Sequence, residues 1–301
     1  MDVNVPFISK TKREIEFIVY IVPSILIYFI FFLLPVASSF FYSLFSLSGP
    51  GRPMKFIGFD NFIELFANTP VFFTALKNNV LYTLTVLIFQ TLFSFLLAII
   101  LNQGVKGGGF FKTFFFTPVV LSSVAISFIW VFMFDPNIGA LNSILSAIGL
   151  GVLGKNWLGD PGIALFSVAM VQIWQYVGFE MVIFIAGLKN IPEEMYEASF
   201  IEGANELQRL RHITIPLLAP ATTVAIVLTT LGCFRVFDLI YIMTGGGPAQ
   251  ATEVLAKITY DYAFRYNRMG FASSVSVILM IVVMMIGFTQ LLYLRSKEIE
   301  Q

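Results

Sequence analysis

Apolar residues in this chain come in blocks of twenty or more, not in the one-sided stripe of a surface helix or the alternation of a strand. Six blocks are long enough to cross the ~30 Å hydrocarbon layer of a bilayer, which takes about 20 helical residues at 1.5 Å each. They cover approximately 17–41, 80–101, 113–134, 161–188, 215–241 and 271–294. Within each block apolar side chains run all round the helix, as expected where lipid and other helices are the surroundings. The pattern predicts an all-α integral membrane protein with six transmembrane helices between residues 17 and 294. Pro23 and Pro35 predict a kink or an end in the first span, which membrane helices tolerate when neighbours re-satisfy the freed carbonyls.

Composition agrees with lipid as the solvent. Of 301 residues 57% are hydrophobic and 12% charged, where soluble domains carry about 25% charged residues. The mean hydropathy is +0.85. Lys and Arg number 18, as do Asp and Glu, so no net field points to a nucleic acid. A single cysteine, Cys233, excludes an internal disulfide and a cysteine metal cluster, and the single His212 leaves no zinc constellation. Both read as ordinary packing or surface positions.

The N-terminal basic residues are followed by an apolar run with no charge between Glu16 and Arg52. That is far longer than the roughly 7–15 apolar residues of a secretory signal, so it reads as an uncleaved first span. Basic residues set the orientation. With the N-terminus inside, Lys10, Lys12, Arg13, Lys106, Lys112, Lys189, Arg209, Arg211, Arg295 and Lys297 are cytoplasmic. Arg52, Lys55, Lys77, Lys155, Lys257, Arg265 and Arg268 are external, and Arg235 is left within a span. The modest bias predicts an N-in, C-in chain: a cytoplasmic segment at 1–16, a cytoplasmic loop at 189–214 and a cytoplasmic tail at 295–301. The external segments, 48–69, 135–160 and 244–270, mix Gly, Pro and Asn with aromatics, and none is long enough for a second domain. No internal repeat of the secondary-transporter kind is present.

The connection between the fourth and fifth spans has a pattern of its own. Asn190 is a candidate cap for a helix whose first turn holds Pro192, Glu193 and Glu194, where proline costs little and carboxylates favour the positive helix end. Ser199 and Gly203, four apart, are placed on one close-approach face, and Gly203 is also a natural helix stop. Pro216 opens the fifth span. The expectation is a short helix parallel to the membrane, with acids and small residues suited to docking.

Glu197-Ala198-Ser199, three residues, Gly203, nine residues, Ile213, one residue, then Ile215-Pro216 resembles the EAA loop of binding-protein-dependent ABC import permeases. Serine stands for the usual second alanine and isoleucine for the usual leucine. Trp130 with Phe134–Asn142 is similar to the segment after the third span in sugar-type members. The stretch Phe237–Pro248 is similar to the external segment of the maltose and glycerol-phosphate branch, and Met269-Gly-Phe-Ala272 fits the lead into the last span. The likeness covers the chain from about residue 110 onward.

The resemblance implies a type I ABC importer permease fold in a bacterial or archaeal plasma (inner) membrane. It implies a second permease subunit, two nucleotide-binding subunits that hold ATP and Mg, an extracytoplasmic solute-binding protein and a sugar as cargo. This chain carries no Gly-x-x-x-x-Gly-Lys-Ser/Thr cradle, so the expectation is no cofactor and no ATPase activity of its own. Glu193, Tyr196, Glu197, Ala198, Ser199, Gly203, Ile213 and Pro216 would form the coupling element, with Glu197 as polar anchor and Gly203 permitting the bend.

A transporter site belongs near mid-bilayer, about ten helical residues or 15 Å from either face. Counting along the fourth span reaches Trp174, Gln175, Tyr176 and Phe179, and along the fifth Thr229, Gly232, Cys233 and Val236. The resemblance puts the sugar site on these same two helices. Glu180 and Arg235 are costly intramembrane charges that usually face a cavity or a partner. Glu180 is expected to bond to a partner subunit or the solute. Arg235 and Asp238, three apart, are expected to share a helix face as an ion pair or to line the outer mouth. Three other functions remain open at this point. A glycerol-3-phosphate importer would want more bases, a proton-coupled secondary transporter several intramembrane carboxylates, and a membrane enzyme a convergent catalytic set.

Overall fold

A computed structural model of the chain describes residues 10–49 and 51–296. Most of the expected N-terminal segment (1–9) and of the C-terminal tail (297–301) lies outside the described residues. The first apolar block is one continuous helix. α1 (Lys10–Tyr28) passes through a π-helical turn, Phe29–Leu33, into α2 (Leu34–Ser43). Neither Pro23 nor Pro35 ends it. The wider turn lies just ahead of Pro35, whose missing N–H frees a carbonyl one turn back. A short antiparallel hairpin follows, β1 (Phe45–Ser46) with β2 (Lys55–Phe56). Asn61, in α3 (Asp60–Asn68), donates to the Ser43 and Phe45 carbonyls at 2.8 and 3.0 Å and fixes the hairpin to the helix.

α4 (Pro70–Asn102) begins ten residues before the expected 80–101. Pro70 suits the first helical turn because no donor is needed there. The polar residues that interrupt the apolar pattern are helical and buried, with partners in the segment that leads into α14. Asn78 donates to the Gln250 and Glu253 carbonyls at 3.1 and 3.0 Å, and Asn79 accepts from the Leu255 amide at 2.9 Å. The expected third helix, 113–134, is broken: α5 (Gly108–Val120) and α6 (Ser123–Met133) meet at 99°. Pro118 removes a donor in the last turn of α5, and Leu121 and Ser122 are extended at the corner.

α7 (Ala140–Ala147) sits in the loop that precedes α8 (Ala164–Lys189). The connecting segment holds α9 (Glu193–Ile201), α10 (Glu206–Arg209), a π-helical turn at Leu210–Thr214 and α11 (Ile215–Leu217). At Leu218 the chain turns through 64° into α12 (Ala219–Phe234). That helix stops seven residues short of the expected 241. The backbone is irregular at Arg235–Phe237 and resumes as α13 (Asp238–Met243). α14 (Leu255–Tyr260), a π-helical turn at Asp261–Arg265 and α15 (Met269–Arg295) complete the fold.

Among the described residues, four helices are long and apolar enough to cross a membrane singly, and up to six spans result if each bent pair counts as one. Burial is uneven among them. Of the most apolar stretch of α8, 61% is buried within the chain, against 28% for α4, 11% for α15 and none for Val19–Ser43. α8 is therefore the axis on which α4, α5 and α12 pack. At Gly178 a Cβ would collide with the Phe115 backbone carbonyl, so only glycine lets α5 and α8 approach this closely. Three apolar clusters stabilise the assembly by close packing and dispersion. One lies around Tyr82, Ile126, Phe134 and Val168, one around Leu101, Met181, Phe184 and Leu218, and one around Leu65, Phe72, Phe271 and Val275.

Candidate functional site

The connection between α8 and α12 and a cavity share the same two helices. α9 starts after Pro192, and Asn190 instead closes α8, so the expected Asn190 cap does not form. Glu193 and Glu194 occupy the first turn, where the helix dipole favours them. At the other end Gly203 adopts φ +76°, outside the helix. Its amide donates to the Phe200 carbonyl at 3.1 Å and that of Ala204 to Ser199 at 2.9 Å, a Schellman stop. Ser199 and Gly203 consequently do not share a helix face. Ser199 is buried and donates to the Tyr196 carbonyl at 2.6 Å.

The segment is anchored on one side and bare on the other. Tyr196 and Ile213 pack with Leu188, Ile191 and Leu218 in the cluster between α8 and α12, and the Tyr196 and Thr214 hydroxyls are 3.0 Å apart. Pro216 is half-buried at the start of α11, within the turn that leads to the 64° bend. On the outside, Glu197 and Ala198 are exposed beside four large apolar side chains: Met195, Phe200, Ile201 (88% exposed) and Leu207. Arg209 stacks on the Phe200 ring at 3.9 Å and stiffens that patch.

Between α8, α12 and the irregular turn after it lies a cavity of about 360 Å³. Of the residues expected on the solute path, Tyr176, Phe179, Glu180, Thr229, Gly232, Arg235 and Val236 border it. Trp174, Gln175 and Cys233 do not. Trp174 packs edge-on against Trp130 at 5.5 Å. Gln175 points at the α5–α6 corner, where its amide meets Ser123 Oγ at 3.3 Å. Cys233 is fully buried and its sulfur accepts from Gln172 at 3.2 Å. A Cβ on Gly232 would meet nothing within 4 Å, so that position faces open space.

Glu180 is bonded within its own chain. Its Oε2 accepts from Gln90 Nε2 at 2.7 Å and from Thr229 Oγ1 at 3.4 Å, and its Oε1 accepts from Thr91 Oγ1 at 2.7 Å. One carboxyl thereby joins α4, α8 and α12 in the cavity wall. Arg235 and Asp238 both border the cavity, but the helix break between them removes the shared face, and no ion pair joins them among the described residues. Sequence reasoning missed Gln90, Ser123, Gln172 and Phe237 in the lining.

Outside the spans, a charge ladder runs along the segment that precedes α15. Lys257 donates to Glu253 Oε1 at 2.6 Å and to Asp261 Oδ2 at 2.7 Å, all three buried, and Arg265 reaches Asp261 at 3.3 Å. Burial pushes the Glu253 carboxyl up despite the Lys257 ammonium beside it. Burial alone would lower Lys257, but its two carboxylate bonds outweigh that and hold the ammonium above its ordinary range. The segments resembling sugar-type permeases have local reasons for their residues. Asn142 ties Pro136, Lys155 and Trp157 together through four hydrogen bonds, and Thr252 bonds Thr244 and the Gly247 carbonyl, each at 2.7 Å.

Residues 90–298 match the family described as binding-protein-dependent transport system inner membrane component. The chain belongs to that family. It is a multi-pass permease of the ABC importer class, with sugar permeases among its relatives. The Bacillus subtilis probable ABC transporter permease protein YurN is 38% identical over 283 residues, covering 93% of this chain and 96% of that one. The trehalose/maltose transport system permease protein MalF of Thermococcus litoralis is 31% identical over 297 residues, 98% of each chain. The fold matches a chain of a bacterial ABC transporter involved in the import of the acidic polysaccharide alginate, with a TM-score of 0.82, 23% identity and coverage of 95% of this permease and 96% of that chain.

Proposed function

We propose that this permease is one of two membrane subunits of an ATP-driven importer for a mono- or oligosaccharide. In this reading six spans, with each bent pair counted as one, cross the plasma (inner) membrane with both termini in the cytoplasm. The observation that carries it is mechanical. α8 and α12 both border the cavity, and the segment joining them is packed into their shared core on one face and exposes an acidic-rimmed apolar patch on the other. Two nucleotide-binding subunits, holding ATP and Mg, would grip that patch, with Glu197 and Ala198 at the contact. Their closure would then tilt α8 against α12 and switch access to the cavity. An extracytoplasmic binding protein would deliver the solute to the opposite side.

A sugar suits the lining. Tyr176, Phe179 and Phe237 offer ring faces, and Gln90, Gln172 and Thr229 offer polar edges for hydroxyls. The volume falls in the roughly 300–1,000 Å³ range of small-molecule sites. Glycerol-3-phosphate suits it less, because Arg235 is accompanied in the lining by two acids, Glu180 and Asp238. The relative that handles trehalose and maltose points the same way. The test is ATP-dependent sugar uptake by vesicles carrying the complete importer. Glu197→Lys should abolish uptake while this chain still inserts and assembles with its second permease. Undiminished uptake, or uptake by the purified chain alone, would remove the coupling role.

A further inference from the structure

Two pairs of aromatic rings meet beside the cavity between α8 and α12. Phe237, just ahead of α13, and Tyr241 within it are four apart and stack at 5.1 Å with their planes 19° apart. Tyr260 and Phe264, four apart where α14 passes into the π-helical turn, lie at 5.1 Å. Tyr260 joins the two pairs, at 5.1 Å from Phe237 and 5.3 Å from Tyr241. These rings are accessible. Phe264 is 63% exposed and Tyr241 36%, while Phe237 and Tyr260 are half-buried.

The ends of this series open on different spaces. Phe237 borders the cavity between α8 and α12. Phe264 borders a second cavity of about 550 Å³, whose walls also include Arg52, Thr259, Met269 and Ala272. Met269 and Ala272 flank Phe271, which packs with Phe72 at the start of α4. Gln90, further along α4, borders the first cavity, and Asn102 at its end borders the groove beside Tyr196. The second cavity, the first cavity and the segment joining α8 to α12 therefore follow one another along α4. Lipid is an unsuitable cover for the rings between the cavities. Arg235 and Asp238 lie on either side of Phe237 in sequence and Arg265 follows Phe264, all three exposed, and charges facing hydrocarbon are costly.

We infer that Phe264, Tyr260, Tyr241 and Phe237 form a stacking rail along which the sugar passes from the second cavity, its outer waiting site, into the first. This rests on the reading of the chain as a sugar permease with its solute site in the first cavity. A sugar has an apolar ring face that stacks on an aromatic side chain and a hydroxyl edge that takes hydrogen bonds, here from the neighbouring charged and hydroxyl groups. The step between rings is close to the repeat of pyranose units along an oligosaccharide, so a unit leaving one ring meets the next. Passage needs binding that is favourable enough to admit the solute and divided over enough weak sites to let it go. The rail supplies those sites and keeps released sugar from diffusing away before it reaches the first cavity.

The test uses the complete importer with its binding protein, reconstituted in vesicles. Glucose, maltose, trehalose and lactose are screened for ATP-driven uptake, and the sugar taken up is the probe. Tyr260→Leu and Phe264→Leu should each reduce its uptake about tenfold, equivalent to about 1.4 kcal/mol. ATP hydrolysis in the presence of loaded binding protein should persist, so the ATP hydrolysed per sugar moved should rise. Tyr260→Phe and Phe264→Tyr, which keep the rings, should transport as the parent does. Gly232→Trp, which fills the first cavity, serves as the reference for the site itself. Normal uptake in both leucine variants while Gly232→Trp blocks it would overturn the inference and leave the cavity reading intact. Uptake and ATP hydrolysis falling together, or loss of assembly with the second permease, would make the rings packing or interface residues and also overturn it. Undiminished uptake in Gly232→Trp, or uptake of none of the four sugars, would overturn the underlying solute-site reading, and the inference with it.

Discussion

Replacing Lys257 with methionine keeps the length and apolar stem of the side chain and removes only the ammonium. That ammonium bridges the buried Glu253 and Asp261 carboxylates, at 2.6 and 2.7 Å. Removing one partner of a buried ion pair costs about 3–5 kcal/mol, because the remaining charge is left uncompensated. Here the loss should be local, since Glu253 and Leu255 fasten the segment before α15 to Asn78 and Asn79 of α4. Opening of that segment should become about 10²- to 10³·⁵-fold more frequent. Hydrogen exchange of amides 250–261 in the purified importer reads this directly.

The pH dependence has a definite sign. Burial already raises the Glu253 carboxyl above its ordinary range. A carboxyl with a raised folded-state pKa destabilises the fold increasingly as pH climbs from the unfolded value through the folded one. Without Lys257 that rise grows, so the variant should deviate most at neutral pH and approach the parent as pH falls toward the ordinary carboxylate range. Lys257 itself, held above the usual lysine range, contributes its full stabilisation throughout this window. Exchange indistinguishable from the parent at neutral pH would refute the argument and leave the two asparagines as the fastening.

Gly178→Val should sharply reduce the amount of folded permease recovered from membranes, because the new Cβ meets the Phe115 backbone and cannot be relieved by a rotamer change; normal recovery would mean that α5 and α8 are free to separate. Gly232→Trp should leave recovery unchanged yet cut uptake at least tenfold, since the position opens onto the cavity with nothing within 4 Å, while Gly232→Ala should transport normally. Equal uptake in both would place the solute elsewhere.

The apolar blocks were legible because length and composition alone distinguish a lipid-facing helix. The breaks were not. Pro118 and the pair Ser122–Ser123 are weak signals beside the run of phenylalanines that precedes them, and they do not announce a 99° corner. The polar Asn78–Asn79 pair imitates a loop because its partners, 170 or more residues away in sequence, are invisible locally. For the cavity, depth along a helix is an incomplete guide, and facing decides the rest. Gln172, Tyr176, Phe179, Glu180 and Ile183 follow the i, i+4, i+7, i+8 and i+11 spacing of one face, and Ala225, Leu228, Thr229 and Gly232 the i, i+3, i+4 and i+7 spacing of one face on α12. Trp174, Gln175 and Cys233 have the right depth and the wrong azimuth. Gln90 had no such signal beyond being an amide inside an apolar run.

Among the single helices of the described residues that are long enough to span, α8 is both the least apolar and the most enclosed. It carries Gln172, Gln175 and Glu180 into the interior, with Tyr82, Gln90, Thr91 and Ser94 of α4 bonded to it along its length. During biosynthesis such a segment is a poor candidate for release into bilayer by itself, because its amides and acid would meet hydrocarbon unpaired. α4, emerging earlier, would have to wait beside the insertion channel and receive it. The same polar contacts that shape the cavity in the finished molecule would then act first as the means by which α8 is escorted out of the channel.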